Sequence, residues 1–534
     1  MNLFASKHSA LLEKTSQILW GLVLLTLPVT SFRYFPLLGK HTYVRPLAFY
    51  PLALLYLVLM LRLLRKEIKL PWSNALIPFF VFLLVALLTT AAGAFLAPIE
   101  LRGNDYWGRA LRTLLTFMIG MAFFVAALWM NRDIDDVRRS LPWLYGGLVL
   151  TMLWAGVQAT SFYTPFLKKA QVSEWQLLFS MRGIPKLRRV SGFAFEASWL
   201  AGQIATLYLP WLVASLLTRF RATKFRWLEP LLLLAALVTL FLTYSRGGLL
   251  IALAATGLTL LVAGRNNIQR SWQWLIYPNR QVVKDAKEIS ENTASGGAPA
   301  AEDGGESDFK RTPRASYLRG SNLAQVGMRV LIVLAIVGML GGGMAFLAQQ
   351  NYVNRLWTVQ ADNLADYFVK TNAGGRVTYL WSAVQVFLQH PFLGTGFGSS
   401  GFYLYQNLPD WALSNLPEVS KQLSPASSLY PNPKNLYLSI LAENGIFGFV
   451  TFISFLFAIL AQVITALRSD KLRLVGIAGL FSWTAILIYY MMQDSFAMAE
   501  LWVNFGIILG LTSSPPSSSP RTRGENGGGF QEHL

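Results

Sequence analysis

Apolar residues dominate long stretches of the chain, in blocks of about 17 to 25 positions with neither the strict alternation of a half-buried strand nor a polar stripe. Each block is long enough to cross about 30 Å of hydrocarbon as a helix. They fall near 17–32, 47–64, 75–97, 108–130, 141–162, 197–217, 228–244, 247–263, 328–348, 435–465, 472–492 and 496–512. The pattern predicts an all-α, polytopic membrane protein of about twelve transmembrane helices, the seventh and eighth nearly continuous through Tyr244-Ser245-Arg246-Gly247. No fixed-period repeat is visible. Polar residues precede the first block and no small-x-small cleavage site follows it, so that block is expected to stay as an anchor.

Composition agrees. Of 534 residues 54% are hydrophobic and 14% charged, with a mean hydropathy of +0.42, too little polar material to coat a soluble fold of this size. Cysteine is absent, which excludes disulfides, thiolate metal sites and a cysteine nucleophile. The net charge of +19 could signal nucleic acid, but its distribution follows the positive-inside rule instead. With a cytoplasmic N-terminus, the inner loops carry Arg62, Arg65, Lys66 and Lys69, then Arg132, Arg138 and Arg139, then Arg219, Arg221, Lys224 and Arg226, and later Arg468, Lys471 and Arg473. Segment 264–327 contains SENTASGGAPAAEDGGESD and cannot offset its ordering entropy by burial, so it is expected to be a disordered cytoplasmic loop. The tail 513–534 reads the same way. The expected organisation is a membrane region 1–263 of about eight spans, the loop 264–327, a second membrane region 328–512 with an outer catalytic loop 349–434, and the tail, both termini being cytoplasmic.

Two outer segments carry unusual chemistry. Segment 163–196 holds Lys168, Lys169, Arg182, Lys186, Arg188 and Arg189 on the side where cations are scarce. Long translocated loops escape the charge rule; the alternative is that these cations hold an anion at the membrane surface. In the second segment, GGRVTYLWSAVQVFLQHPFLGTGFGS predicts an amphipathic helix at the interface. Val377, Leu380, Trp381, Val384, Phe387 and Leu388 share one face, with Thr378, Ser382, Gln385 and Gln389 on the other. Arg376 stands in its first turn, against the helix dipole. His390 reads as part of the helix end, and Gly394-Thr-Gly396-Phe-Gly398 as a flexible turn. Arg246 lies between two spans and needs a partner or a hydrated cavity. Glu196 opens the sixth span, where simple capping would also favour a carboxylate.

The tenth block, KNLYLSILAENGIFGFV, is interrupted by Glu443-Asn444-Gly445. A carboxylate is expensive at membrane depth. Asn435, Ser439 and Ala442 form a narrow stripe on a helix, with Glu443 about a quarter turn away, so this side is expected to face protein. Gly445 and Gly448 should admit a neighbouring helix, and Lys434 should guard the mouth of a hydrated cavity.

Taken in order, Arg189 to Ser198, Ser245-Arg246-Gly247, Gly375-Arg376 with Trp381 and HPFLGTGFG, and KNLYLSILAENGIFG give a pattern that resembles the O-antigen ligase and polymerase superfamily, integral membrane glycosyltransferases of GT-C type. The resemblance runs from roughly 140 to 512. It implies transfer of a glycan from an undecaprenyl-diphosphate carrier to an acceptor hydroxyl on the outer leaflet, with neither metal nor other cofactor. Arginines matching Arg246 and Arg376 would engage the diphosphate, as bidentate guanidinium donors suit. Arg188, Arg189, Asn435 and Tyr437 complete the substrate-binding set. The ligases place a histidine where this chain has Lys434. An ordinary lysine is already charged at neutral pH. It either has a depressed pKa or contacts phosphate while Glu196 or Glu443 acts as base. The missing histidine and the Phe195-Glu196-Ala197-Ser198 segment favour a polymerase of surface polysaccharide over a lipid A-core ligase. Implied partners are the lipid-linked oligosaccharide, membrane lipid and other polysaccharide-export proteins, in a bacterial inner membrane and without nucleic acid. A twelve-span transporter and a non-catalytic export scaffold are the alternatives from other classes. A transporter would place charges at mid-membrane and repeat its two halves, whereas here the charges cluster at span ends.

Overall fold

The computed structural model describes residues 2–35, 43–96, 100–185, 188–225, 227–264, 341, 358–371, 373–424, 427 and 430–513. Contacts divide the chain into one unit of Met1–Leu258 with Leu364–Leu534 and another of Thr259–Asn363. In the second unit the described residues include the end of the helix that closes at Ala263 and a short stretch from Thr358. The remaining description concerns the first.

The long helices, in order, are α1 (Asn2–Thr26), α2 (Phe49–Leu64), α3 (Ile77–Gly93), α4 (Tyr106–Met130) and α5 (Ile134–Tyr163). A short α6 (Lys169–Leu177) precedes α7 (Ala197–Gln203), which continues through a π turn (Ile204–Tyr208) into α8 (Leu209–Thr218). Then come α9 (Leu228–Leu242), α10 (Arg246–Ala263), α11 (Leu364–Lys370), α12 (Gly374–Gln389), α13 (Leu436–Arg468), α14 (Arg473–Tyr490) and α15 (Glu500–Ser513). Side-chain caps fix several starts: Asp105 accepts from Gly108 N at 2.8 Å, Asp133 from Asp136 N at 2.8 Å, and Asn435 from Leu438 N at 3.1 Å. Each satisfies a backbone donor that the helix itself cannot.

No strand occurs among the described residues, only isolated bridges such as Ser31 with Arg45 and Phe32 with Ser180. Among the described residues seven helices are long and apolar enough to cross a membrane, while α2, α9 and α15 are apolar but shorter. The molecule is therefore a multi-pass membrane protein. Twelve spans are not reached among the described residues: most of the run 328–348 lies outside them, as do the expected disordered segments beyond Gly264 and Ser513. Two other expectations shift. α1 starts at Asn2 and includes the polar head, then ends at Thr26, after which the chain turns extended and Phe32 N bonds to Arg45 O at 2.8 Å. α9 and α10 are separated by a turn in which Tyr244 takes a left-handed φ of 49° and Ser245 caps α10 through Gly248 N at 3.3 Å.

α7, the π turn, α8, α14 and α15 bury residues all round and form the centre; α2, α3, α9 and α10 leave leucines such as Leu57, Leu88, Leu231 and Leu253 exposed, as suits a lipid-facing surface. α15 lies against α4 through small residues, since a Cβ on Gly506 would come within 2.3 Å of Phe124 O and one on Gly510 within 2.2 Å of Asn131 O. Helix alternation gathers the described residues of 27–35, 43–48, 94–96, 100–105, 164–185, 188–196, 243–245, 390–424, 430–435 and 491–499 at one end of the bundle, here the long-loop end. The short connections 65–76, 131–133, 219–225 and 469–472 lie at the other. Backbone bonds from Arg33 N to Phe179 O (2.9 Å), Val190 N to Leu242 O (3.1 Å) and Leu436 N to Gln493 O (3.1 Å) tie the long-loop end together.

Candidate functional site

α13 is bent at Gly445, whose φ of 61° and ψ of −163° belong to a region that only glycine adopts readily. A bend leaves helix carbonyls and amides without their normal partners. The loop after α12 supplies replacements: Thr395 N donates to Ala442 O at 3.0 Å, Gly396 N to Glu443 O at 2.7 Å, and Ile446 N to Pro391 O at 2.8 Å. Gly394, Gly396 and Gly398 all have positive φ. A Cβ on Gly445 would lie 2.1 Å from Phe392 O, and one on Gly394 2.4 Å from the Glu443 carbonyl carbon. HPFLGTGFG and AENGIF are thus two halves of one clasp. The first is a fixed structure, not a flexible turn. What approaches Gly445 is this loop and not a helix, and Gly448 abuts the Asn444 side chain of its own helix.

The clasp positions Glu443. Its carboxylate is buried, with Oε1 accepting from Ser400 Oγ at 2.7 Å and Oε2 from Gly398 N at 2.8 Å. Nearby stands Arg109, near the start of α4, which the sequence reasoning missed. Its guanidinium carbon lies 3.8 Å from the centre of the Tyr430 ring, within the usual cation–π range. Its charge acts on Glu443, Tyr430 and Asp494, and its Nε is buried without a hydrogen-bond partner. The only sequence signal was an arginine in the first turn of a span, in DYWGRALR. Burial pushes the Tyr430 hydroxyl up, against the pull of Arg109. Burial likewise raises the Asp494 carboxyl, opposed by its own and the Lys434 backbone N–H groups and by the charges of Lys434 and Arg109.

Lys434 is exposed and takes a left-handed φ of 52°. Next to it Asn435 caps α13 and donates from Nδ2 to Met491 O at 3.3 Å. Asn435, Ser439 and Ala442 are buried, so this stripe faces protein. The Tyr437 hydroxyl donates to Leu487 O at 3.0 Å, which commits it to α14.

The second neighbourhood is built from segment 164–196. Arg189 Nε donates to Thr243 O at 2.8 Å, which pins this segment beside the turn leading to Arg246. Tyr163 donates to Arg188 O at 3.3 Å and meets the Tyr244 hydroxyl at 3.0 Å, while the Arg188 side chain is exposed. An open cavity of about 760 Å³ lies here, lined by Lys169, Arg182, Arg189, Glu196, Ser173 and Ser198 among others. Glu196 occupies the cap position of α7 without a capping bond from its side chain. It pairs instead with Arg182 at 2.8 Å and accepts from Ser198 Oγ at 3.3 Å. Three cations against one carboxylate give this cavity a positive lining.

The turn after α14 joins the two neighbourhoods. A Cβ on Gly247, next to Arg246, would lie 2.5 Å from Met492 Sδ. The charges of Glu196 and of Arg376, which is exposed in the first turn of α12, both act on the Tyr489 hydroxyl. The structure therefore puts Arg189 and Glu196 in one cavity, sets Gly247 beside Met492, and keeps Glu443 and Asp494 within reach of the Arg109 charge, with the Lys434 backbone N–H donating to Asp494. It does not bring Glu443 to the Glu196 cavity, and it leaves the Arg188 side chain in the open.

The fold is that of a multi-pass helical membrane protein, and Lys169, Arg182 and Arg189 line one cavity at its long-loop end. Residues 313–453 match a family model described as O-Antigen ligase, so the resemblance to the O-antigen ligase superfamily holds. The matched stretch includes Arg376, the clasp, Lys434 and Glu443. No curated protein matches the chain.

Proposed function

We propose that the protein transfers a glycan from an undecaprenyl-diphosphate carrier to an acceptor hydroxyl, polymerising surface polysaccharide repeats in the bacterial inner membrane. In this reading the long-loop end faces away from the cytoplasm, since the short connections hold Arg65, Lys66, Lys69, Arg132, Arg219, Arg221, Lys224 and Lys471. The acceptor oxygen attacks the anomeric carbon. The bond from that carbon to the diphosphate oxygen breaks, and the diphosphate leaves with the electron pair. Arg246 and Arg376, with Arg188 and Arg189, neutralise the charge that develops on it, which is electrostatic catalysis. Lys434, exposed above α13, is a further phosphate contact. Glu443, with both oxygens engaged, holds the clasp and the Arg109 field in place, and Glu196, in the cavity, takes the proton of the acceptor hydroxyl as its oxygen bonds to the anomeric carbon. Asn435 and Tyr437 act by seating Lys434.

The observation that carries the reading is that Arg189, pinned to the Thr243 carbonyl beside the turn leading to Arg246, lines with Lys169 and Arg182 one cation-rich cavity. Arg246→Ala and Arg376→Ala are each expected to abolish transfer from purified lipid-linked repeats in proteoliposomes while inserting normally. Wild-type activity in either would overturn the proposal. A ligase that moves a finished glycan to a different acceptor is the second reading, favoured by the description of the matched family. Gel analysis of surface glycan after deletion separates the two: single-repeat products indicate a polymerase, full-length chains still on carrier lipid a ligase.

A further inference from the structure

Two glutamines with no solvent exposure stand behind the wall of the cation-lined cavity, Gln158 on α5 and Gln176 on α6. Burying a primary amide costs free energy unless its donors and acceptors are paired, and here they are. Gln158 Oε1 accepts from Ser191 N at 2.8 Å and Gly192 N at 3.0 Å, while its Nε2 donates to Gln176 Oε1 at 2.5 Å and to Gly192 O at 3.1 Å. Gln176 Oε1 accepts a second bond from Trp154 Nε1 at 3.2 Å, and Gln176 Nε2 donates to Arg182 O at 3.3 Å. A carboxylate in either place would lack the donors and an apolar side chain would lack everything, so the network needs amides.

These bonds end on both sides of the segment that carries two of the cavity's guanidinium groups, those of Arg182 and Arg189. On one side Gln176 holds the Arg182 carbonyl. On the other Gln158 holds Ser191 and Gly192, just after Arg189, whose own Nε is fixed to Thr243 O. Gly192 has a φ of 54°, and a Cβ there would lie 2.8 Å from Thr151 Cγ2, so the segment is drawn tightly onto α5. Trp154 stacks on Phe193 at 6.1 Å, and Phe179 meets Phe193 edge-on at 5.3 Å, which closes the network with rings. Arg182 in turn pairs with Glu196 at 2.8 Å, its guanidinium carbon 5.3 Å from the centre of the Phe195 ring. That pair is 48% and 43% exposed, and exposed pairs contribute little to stability. A buried network that ends on it serves geometry more than it serves stability.

We infer that Gln176, backed by Gln158, is a positioning residue for transfer: it sets Arg182 where the guanidinium holds Glu196, and keeps Arg182 and Arg189 on one wall of the cavity. The inference rests on the glycosyl-transfer reading, in which Glu196 takes the acceptor proton and Arg189 meets the carrier diphosphate. Charges stabilise a transition state best when they are fixed before it forms. Arginine side chains on a loop are long and mobile, and the two glutamines remove the freedom of the backbone beneath them. Neither glutamine touches substrate; both act through Arg182.

The test uses the full chain in proteoliposomes with purified lipid-linked repeat, comparing Gln176→Met, Arg182→Ala and the double variant. Each single change is expected to lower kcat about 100-fold, the scale of a misplacement of about 1 Å near a reacting centre. Residues that act through one another are not additive, so the double variant should be no slower than Arg182→Ala alone. A merely structural Gln176 would multiply the two losses instead. Near wild-type kcat in either single variant, or multiplied losses in the double one, overturns the inference. Spin labels at Gly156→Cys, where a Cβ meets nothing within 4 Å, and at Arg188→Cys follow the wall itself. Their distance distribution should broaden in Gln176→Met, and an unchanged distribution beside a lowered kcat also overturns the inference. Should Gln176→Met fail to yield monodisperse protein, Gln176→Glu takes its place, since a carboxylate still accepts from Gln158 and Trp154 but cannot donate to Arg182 O. Arg376→Ala serves as control: its inactivity beside multiplied losses at 176 and 182 refutes only the positioning role, whereas its activity refutes the transfer reading itself.

Discussion

Gly445 joins the membrane segment to the loop that holds the site, and the demand on it is steric. Its backbone sits where other residues are strained by about 1–3 kcal/mol, and a Cβ would meet Phe392 O at 2.1 Å. Gly445→Ala is therefore expected to destabilise the protein by at least that amount, read as a fall in thermal midpoint in detergent. Gly448→Ala, whose Cβ would meet only the Asn444 side chain of the same helix, should cost less. Asp494 allows a pH prediction. Burial raises its carboxyl, so the folded chain holds this proton more tightly than the unfolded one. The stability this contributes is full below the ordinary carboxylate range and is lost as pH rises through the raised folded value. Asp494→Asn should remove that part of the decline, seen as a flatter plot of thermal midpoint against pH from the acidic side upward.

At the scale of an element, α12 is amphipathic with its polar face inward. Thr378, Ser382 and Ala383 are buried against α13, while Trp381 and Leu388 are 52% and 61% exposed. Two faces were legible in the sequence. Which face meets protein was not, because periodicity reports that two faces differ without saying what covers each. Ala383 of α12 clusters with Ala442 of α13 beside the buried Tyr379 and Val386, while Trp381 and Leu388 face outward. The chain has no cysteine, so single labels are clean. A spin label at Leu388→Cys should show lipid-like access to oxygen, and one at Ser382→Cys should be shielded from both oxygen and aqueous relaxants. The reverse pattern would mean that α12 is turned over.

For the whole molecule the prediction concerns sidedness. In intact cells a membrane-impermeant maleimide should label Lys168→Cys at the long-loop end and leave Lys224→Cys at the opposite end untouched until the membrane is opened. Labelling only at 224 would put the site on the cytoplasmic face and remove the carrier from its reach.

The sequence by itself determined the membrane class, most helix positions and the order of the basic motifs, because apolar runs and loop charges are local properties that water and lipid act on directly. It also pointed to Arg246, Arg376, Lys434, Glu196 and Glu443. Tertiary structure alone decided that the glycine loop clasps the Gly445 bend, that Arg109 stands over Tyr430, and that Arg189 is pinned to the Thr243 carbonyl. Each of these joins residues tens to hundreds of positions apart, and no periodicity or spacing encodes which distant side chains a packed bundle will bring face to face.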